Sequence, residues 1–204
     1  MQPHPHTHPS ILTSILCLSS RQRVVLGTRI FQKCRQHSTN EGETPDKDVW
    51  INKERLRWAH AFDIPMAHDS PPNFPPNTVQ LMRALCCIES QDKLCAALER
   101  VFLEFWAHHS QVAQADVFAP ILKEVLGPQE AEKVLADAST EGKTRLLKNT
   151  DKAFVAGAFG LPWLVCTNAK GETEGFWGVD HIGQVLRFLN LPKPDNTEGW
   201  KSVL

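Results

Sequence analysis

The chain has 204 residues, with 22 basic and 23 acidic side chains and a formal net charge of −1. Its length suits one domain, or one domain with an insertion, that can bury a sizeable core. The balanced charge gives no reason to expect nucleic acid or an acidic membrane surface as a partner. No apolar stretch approaches the ~20 residues of a membrane span, so no membrane partner is expected.

The N-terminal residues 1–23 form a predicted disordered or targeting-like tail. His4, His6 and His8 alternate with prolines and other residues in a way that fixes no geometry, so no metal site is expected. Residues 1–40 contain five basic residues and no acid, which leaves 17 basic against 23 acidic residues in the rest. This stretch is typical of a mitochondrial presequence. It is equally compatible with an irregular N-terminus that precedes a short buried strand.

Residues 24–48 contain that candidate strand and a polar loop. Val24-Val25-Leu26 is a short apolar, β-branched run followed by Gly27, as expected for a buried strand.

Residues 49–139 are predicted to be helical. A short helix is expected over Lys53–Phe62, and Asn77 is a candidate cap for the next one. Asp92 opens the most strongly periodic helix, whose expected core face carries apolar residues at spacings of three and four. These residues are Leu94, Leu98, Val101, Phe102, Phe105 and Trp106. Asp116 is the expected cap of another helix that ends at Gly127, and Pro128 takes the first position of the next.

Six cysteines stand at positions 17, 34, 86, 87, 95 and 166, and no two of them form a Cys-x-x-Cys motif. That spacing excludes a dithiol active site and a zinc ribbon. Cys86 and Cys87 fall within an apolar helical pattern, where buried and unreactive thiols are expected. A reducing compartment is therefore the default expectation.

Residues 140–190 predict a helix, a strand, a hairpin, a second strand and a helix start, and residues 191–204 form a tail. The first strand, Trp163–Cys166, directly follows Pro162, and a helical pattern opens at Asp180. Proline is excluded from central strands and shapes their ends. Leu161-Pro162 is therefore predicted to be cis, a rare peptide-bond geometry that normally has a purpose.

Two runs in this region, Gly157–Pro162 and Phe176–Asp180, resemble kappa-class glutathione transferases. Relatives of that class include DsbA-like disulfide oxidoreductases and 2-hydroxychromene-2-carboxylate isomerases. The resemblance extends through Trp50-Ile51-Asn52-Lys53, Arg57-Trp58-Ala59 and Ile64-Pro65, and covers residues 47–190 with a weaker extension to about Val24. It implies an α/β, thioredoxin-like fold with a large all-helical insertion. The N-terminal βα unit would be incomplete.

The resemblance also implies a glutathione site. The backbone of Leu161, turned outward by Pro162, would pair with the extended cysteinyl backbone of glutathione. Val179 and Asp180 would hold the γ-glutamyl end, with backbone N–H groups for its carboxylate and the Asp180 side chain for its ammonium. Lys47 falls where the family uses a lysine for the glycyl carboxylate, and Asn40 lies about two positions from a family asparagine.

Each of these residues has a structural alternative. Asp180 is also a good helix cap, Lys47 lies in a polar segment typical of solvated surface, and Trp163 suits the core better than the wall of an electrophile pocket.

The family's catalytic serine has no counterpart in this sequence. The family activates the thiol with a serine in a Ser-Pro-x-Ser context, and no such run is present. If Gly27 matches the glycine after the second strand, that serine would lie before Met1. The catalytic residue is therefore unassigned.

Three functions stay open on these grounds. The first is a glutathione transferase that conjugates glutathione to an electrophile or reduces peroxides with it. The second is a glutathione-dependent isomerase of an aromatic keto-acid, and the third is a non-catalytic family member.

The partners implied by the resemblance are glutathione, a small electrophile and a second copy in a homodimer. A mitochondrial or cytoplasmic location is expected. The family resemblance also suggests peroxisomes, although the C-terminal Ser-Val-Leu is not a clear peroxisomal signal.

Overall fold

The computed structural model describes residues 45–192, and their side chains from residue 49 onward. Seven α-helices and two strands lie in this range. The helices are α1 (Pro45–Ala61), α2 (Val79–Leu85), α3 (Gln91–Trp106), α4 (Ala115–Leu126), α5 (Pro128–Asp137), α6 (Glu141–Val155) and α7 (Ile182–Phe188). The strands are β1 (Trp163–Thr167) and β2 (Thr173–Trp177).

Several sequence predictions fall outside the described residues. They are the tail at residues 1–23, the strand at Val24–Leu26, Asn40, and nearly all of the C-terminal tail. Within residues 45–192 no helix is both long enough and apolar enough to cross a bilayer. The same part of the chain holds no group of three or more His, Cys, Asp or Glu side chains placed to bind a metal ion.

Helix α1 is longer than predicted. It begins at Pro45 rather than near Lys53, so part of the expected polar loop is helical. A proline at the start of a helix needs no backbone partner for its missing N–H, which makes Pro45 a favourable first residue. At its other end, Trp58 stacks on Phe62 with a centroid separation of 5.6 Å. Phe62 forms a small buried cluster with Ile182 of α7, which joins the first and last helices of the described chain.

Arg55 holds the proline-rich loop at residues 62–78, between α1 and α2. Its guanidinium donates hydrogen bonds to the carbonyl oxygens of Ala67 (3.0 Å) and His68 (2.8 Å). It also lies 5.3 Å from the ring centroid of Trp106 in α3. Burial lowers the pKa of Arg55, with Asp69 opposing that shift. One side chain therefore ties α1, the loop and α3 together.

The main hydrophobic core lies between α2, α3, α4 and α5. Its buried members include Leu81, Ala84, Leu85, Ala97, Leu98, Val101, Phe118, Ile121, Leu122, Leu126, Ala131 and Val134. Helix α6 packs closely on α2, since a Cβ at Gly142 would lie only 2.4 Å from the carbonyl oxygen of Arg83. The prediction that Phe102 belongs to the core is wrong, because this residue is 43% exposed. Its spacing places it on the apolar side of α3, but the packing of the neighbouring elements leaves it uncovered.

The helices begin and end within one or two residues of the predicted cap positions. Ser90 caps α3 by accepting a hydrogen bond from the N–H of Lys93, so Asp92 lies in the first turn rather than at the cap. Asn77 Oδ1 accepts from the N–H of Val79, although the cap position itself belongs to Thr78. Gly127, at φ +81°, ends α4 and immediately precedes Pro128, the first residue of α5. Only glycine adopts that φ without steric cost, which explains the sharp break between the two helices.

Strands β1 and β2 form an antiparallel hairpin, with Trp163 opposite Trp177 and Thr167 opposite Thr173. Asn168 closes the turn: its Oδ1 accepts hydrogen bonds from the N–H groups of Lys170 and Glu172, both at 3.0 Å. On one face of the sheet Phe176 packs against Phe188 of α7 at 5.6 Å. On the other face Trp163 packs against Ala153 and Ala158 at the end of α6. The hairpin is therefore held between α6 and α7.

Candidate active site

Leu161-Pro162 is a cis peptide bond, as the sequence predicted. Phe74-Pro75, in the proline-rich loop, is a second cis bond that the sequence analysis did not anticipate. Pro162 lies at the entry of β1, and its carbonyl oxygen accepts a hydrogen bond from the N–H of Gly178 at 3.0 Å. The ladder of the hairpin thus continues one residue beyond each strand.

That hydrogen bond places the beginning of β1 beside the beginning of the last helical segment. Val179 and Asp180 follow Gly178 directly and form a short 3-10 turn, Val179–His181, ahead of α7. Leu161, Pro162, Val179 and Asp180, predicted from separate parts of the sequence to share one site, therefore lie at the same end of the hairpin. Lys47 belongs to α1, but its side chain, like all of Asn40, lies outside the described residues.

The backbone of Leu161 is available for a ligand. Neither its N–H nor its carbonyl oxygen pairs with another backbone group in the part of the chain that the structure describes. The residue as a whole is 38% exposed, so this position is accessible to solvent. An accessible, unpaired N–H and C=O on one residue is what an extended peptide requires for strand-like pairing.

Asp180 is not a helix cap, so the alternative role expected for it from the sequence is wrong. The cap residue of the 3-10 turn is Gly178, that of α7 is His181, and neither makes a side-chain capping hydrogen bond. The Asp180 carboxylate instead folds back over Gly178, where a Cβ would lie only 2.2 Å from Oδ1. Gly178 is at φ +90°. Its lack of a side chain therefore allows both the turn and the position of the carboxylate.

His181 stands next to this carboxylate. Its Nδ1 lies 3.4 Å from Asp180 Oδ1, a proximity without the geometry of a hydrogen bond. Nδ1 is buried and has no hydrogen-bond partner among residues 45–192. No pattern in the sequence pointed to this residue, because a histidine after a helix start carries no signal of its own.

Three aromatic side chains pack together at the same end of the hairpin as Leu161. Phe159 lies 5.0 Å from Trp177 and 5.6 Å from Trp163, measured between ring centroids. Trp163 is half-buried and packs on α6, which agrees with the core interpretation. Phe159 and Trp177, in contrast, are 54% and 47% exposed. Gly160 allows this arrangement, since a Cβ there would lie 2.5 Å from Trp177 Nε1.

A separate apolar depression runs along α6 and contains none of the predicted site residues. Its lining recurs every three or four residues of one helix: Thr144, Leu147, Lys148, Asp151, Lys152, Val155 and Ala156. It is therefore the outer face of that helix rather than a cavity between elements.

The chain is similar in sequence and in fold to known proteins. The family model of the DsbA-like thioredoxin domain matches residues 28–190, about four fifths of the chain. The chain belongs to the DsbA-like thioredoxin domain family. The match confirms the resemblance over residues 47–190 and its extension toward the N-terminus as far as residue 28.

Two relatives of this DsbA-like domain come from Caenorhabditis elegans. Glutathione S-transferase kappa 1 is 26% identical over 170 residues, which cover 78% of this chain and 74% of the relative. Glutathione S-transferase kappa 2 is 27% identical over 169 residues, covering 77% and 74%. The chain is thus homologous to kappa-class glutathione S-transferases.

A solved structure shows the same fold. The 2-hydroxychromene-2-carboxylate isomerase superposes with a TM-score of 0.63 at 19% sequence identity, covering 78% of this chain and 75% of the isomerase. The fold is therefore thioredoxin-like with a helical insertion, as predicted.

Proposed function

We propose that this protein binds glutathione and transfers it to an electrophile, as a kappa-type glutathione transferase. The observation that carries the proposal is the solvent-accessible residue Leu161, whose N–H and C=O pair with no other backbone group among residues 45–192. The hydrogen bond between Gly178 and Pro162 brings it to the same end of the hairpin as Asp180. The homology to proteins named kappa-class glutathione S-transferases supports the choice of ligand.

Each part of glutathione has a candidate partner in this arrangement. The N–H and C=O of Leu161 would pair with the cysteinyl backbone as an added strand. The Asp180 carboxylate would bind the γ-glutamyl ammonium, and the N–H groups of the turn at Val179–Asp180 would bind its carboxylate. By family resemblance Lys47, and less directly Asn40, would bind the glycyl carboxylate. These assignments require no metal ion.

The electrophile would lie against Phe159 and Trp177. Both rings are about half-exposed and pack against each other. They lie at the same end of the hairpin as Leu161, so they offer an apolar surface close to the expected thiol. In conjugation the thiolate sulfur forms a bond to an electrophilic carbon, the bond to the leaving group breaks, and the thiol proton passes to solvent. In peroxide reduction two glutathione thiols give one disulfide, and the peroxide gives an alcohol and water.

Thiol activation is the step for which the chain offers no assigned residue. A free cysteine thiol titrates near ~8.5, so turnover at neutral pH needs a group that favours the thiolate. The sequence has no Ser-Pro-x-Ser run to supply it. This absence favours a second candidate function, a glutathione-binding protein without transferase turnover.

Calorimetric titration of glutathione into the full chain tests the proposal, together with the substitution Asp180→Ala. Loss of a charge-assisted contact costs roughly 1.5–3 kcal/mol of binding, or about 10- to 150-fold in Kd. The melting temperature should change little, because Asp180 makes no capping hydrogen bond. Asp151→Ala is the matched control. It removes an exposed carboxylate on the outer face of α6, outside the predicted site, and should leave Kd unchanged.

The outcomes separate the alternatives. Conjugation of an activated aryl halide supports the transferase. Isomerisation of an aromatic keto-acid without conjugation points to the isomerase, and binding without either product leaves the non-catalytic function. Absence of glutathione binding by the wild-type chain contradicts the transferase and the isomerase and leaves a non-catalytic family member. Sedimentation of the same samples tests the expected homodimer.

A further inference from the structure

Two buried side-chain polar atoms lack a hydrogen-bond partner in the part of the chain whose side chains the structure describes. They are Trp163 Nε1 and His181 Nδ1. Most buried polar atoms in folded proteins are hydrogen-bonded, so each exception calls for an explanation. The His181 side chain as a whole is 38% exposed, so the burial is confined to one side of its ring. That buried side faces a carboxylate of the proposed site.

The side chains of Asp180 and His181 converge on the backbone of Gly178. A Cβ at Gly178 would lie 2.2 Å from Asp180 Oδ1 and 3.6 Å from His181 Nδ1. The two side-chain atoms are 3.4 Å apart. Since N–H···O hydrogen bonds measure about 2.7–3.2 Å between heavy atoms, a shift of a few tenths of an ångström would bring this pair into range.

The His181 side chain has no capping role that would compete with such a bond. His181 is the cap residue of α7, yet its side chain makes no capping hydrogen bond. A neutral imidazole carries its proton on one of its two nitrogens, and an ionised carboxylate only accepts hydrogen bonds. A lone pair on Nδ1 would be repelled by Oδ1, so the carboxylate favours the tautomer with the proton on Nδ1.

We propose that His181 is a positioning residue, which donates a hydrogen bond from Nδ1 to Asp180 Oδ1 and thereby orients the carboxylate toward the γ-glutamyl ammonium of glutathione. The inference rests on the proposed function. A carboxylate can accept roughly four hydrogen bonds, so a bond from His181 to Oδ1 leaves Oδ2 for the ligand. A carboxylate that is already oriented loses less side-chain freedom when the ligand binds, which favours affinity.

Calorimetric titration of glutathione into two His181 variants tests the inference. His181→Leu keeps much of the volume and removes the donor, so Kd should rise about five- to tenfold, the equivalent of one hydrogen bond. His181→Asn places an amide N–H near the position of Nδ1, and its Kd should stay within about twofold of the wild-type value. His108→Leu is the matched control. His108 Nδ1 also lies close to a carboxylate, 3.3 Å from Glu104 Oε2, but outside the predicted site, so Kd should not change.

The double variant Asp180→Ala/His181→Leu separates positioning from direct contact with glutathione. If His181 acts only through Asp180, adding His181→Leu to Asp180→Ala should leave Kd unchanged. An equal loss in both backgrounds would show that His181 acts independently of Asp180 and would overturn the inference. An unchanged Kd for His181→Leu alone would overturn it as well. A wild-type chain that binds no glutathione would instead refute the proposed function, and the inference with it.

Nitrogen NMR of the wild-type chain keeps the test valid if His181→Leu does not fold. The chain carries nitrogen-15 in its histidines and is saturated with glutathione at about pH 8, where an ordinary histidine is neutral. The His181 proton should then reside on Nδ1, which a one-bond coupling to that nitrogen detects. The signal that disappears in His181→Asn supplies the assignment. A complex in which Nε2 carries the proton and Nδ1 carries none would overturn the inference.

Discussion

The helices α2–α5 and the β-hairpin bury apolar surface in different ways. In the helical region each amphipathic face meets another within the same part of the chain, and Leu81, Leu85 and Leu122 are fully buried. In and beside the hairpin, Phe159, Val165 and Trp177 stay partly exposed, and one edge of β1 has no partner strand among residues 45–192. Helices satisfy their own backbone, whereas a strand needs a neighbour on each side. The helical region should therefore carry the stability of the described fold, and the hairpin its capacity to bind.

The largest expected effect separates a buried leucine from an exposed one. Leu122→Ala removes a fully buried side chain from the core of α4 and should lower the free energy of unfolding by about 2–5 kcal/mol. Leu147→Ala, on the outer face of α6 where the side chain is 44% exposed, should cost less than about 1 kcal/mol. Urea denaturation of both variants makes the comparison. Equal losses would mean that the outer face of α6 is covered in solution.

Two glycine substitutions compare close contacts in the two regions. Gly142→Ala places a methyl group 2.4 Å from the carbonyl oxygen of Arg83, which is backbone and cannot move aside. Such overpacking costs typically 1–3 kcal/mol. Gly160→Ala places a methyl group 2.5 Å from Trp177 Nε1, but that ring is half-exposed and can shift. Thermal melts should show a clear loss for Gly142→Ala and a smaller one for Gly160→Ala; the reverse order would contradict the ranking.

A pH-dependent contribution is expected from Glu104 at the end of α3. Its pKa is lowered to about 2, chiefly by the hydrogen bond from Ser110 Oγ and then by Arg100. Since the folded pKa lies below the ordinary value of 4.5, this stabilisation is complete above pH 4.5 and is lost as the pH falls toward 2. Glu104→Gln should cost about 1–1.5 kcal/mol at neutral pH, because it removes the charge from a side chain that is only 19% exposed and accepts hydrogen bonds from Ser110 and Arg100.

Acid titration of unfolding provides the readout for Glu104. In Glu104→Gln the free energy of unfolding should depend less on pH between pH 4.5 and 2 than in the wild type. Glu124→Gln is the control: Glu124 is a more exposed partner of Arg100, so this variant should keep the wild-type pH dependence. An unchanged slope for Glu104→Gln would remove the carboxylate from the acid response.

The smallest effect concerns thiol reactivity in the two regions. Burial raises the pKa of the Cys166 thiol in β1 and, in the helical region, those of Cys86 and Cys87. Because the thiolate is the reactive form, alkylation at pH 7.5 should be slow at all three, and slowest at the almost inaccessible Cys166. Peptide mapping after timed iodoacetamide treatment measures the rates, with the denatured chain as the reference for full reactivity. Rapid labelling of Cys166 would indicate that the hairpin opens.

Local patterns in the sequence were sufficient for the helices, the hairpin and the cis bond. Three of these patterns each involve only a few neighbouring residues: the apolar spacing in α3, Gly127-Pro128 between two helices, and Pro162 before an apolar run. The local structure that each produces can therefore be predicted from neighbouring positions. The motifs around Leu161-Pro162 and Asp180 likewise identified the family, which the match over residues 28–190 confirmed.

Other features depended on contacts between distant parts of the chain. The packing of separate elements decides the exposure of Phe102 and the position of the Asp180 carboxylate over Gly178. It also decides the burial of His181 Nδ1 and the contact between the Phe159 and Trp177 rings. The hydrogen bond that joins Gly178 to Pro162 links residues 16 positions apart, and no periodicity within either segment specifies it. The sequence by itself therefore determined which elements form and which family they belong to. Only the tertiary structure decided which groups meet at the site, because strand pairing and side-chain packing are set by contacts that are remote in the chain.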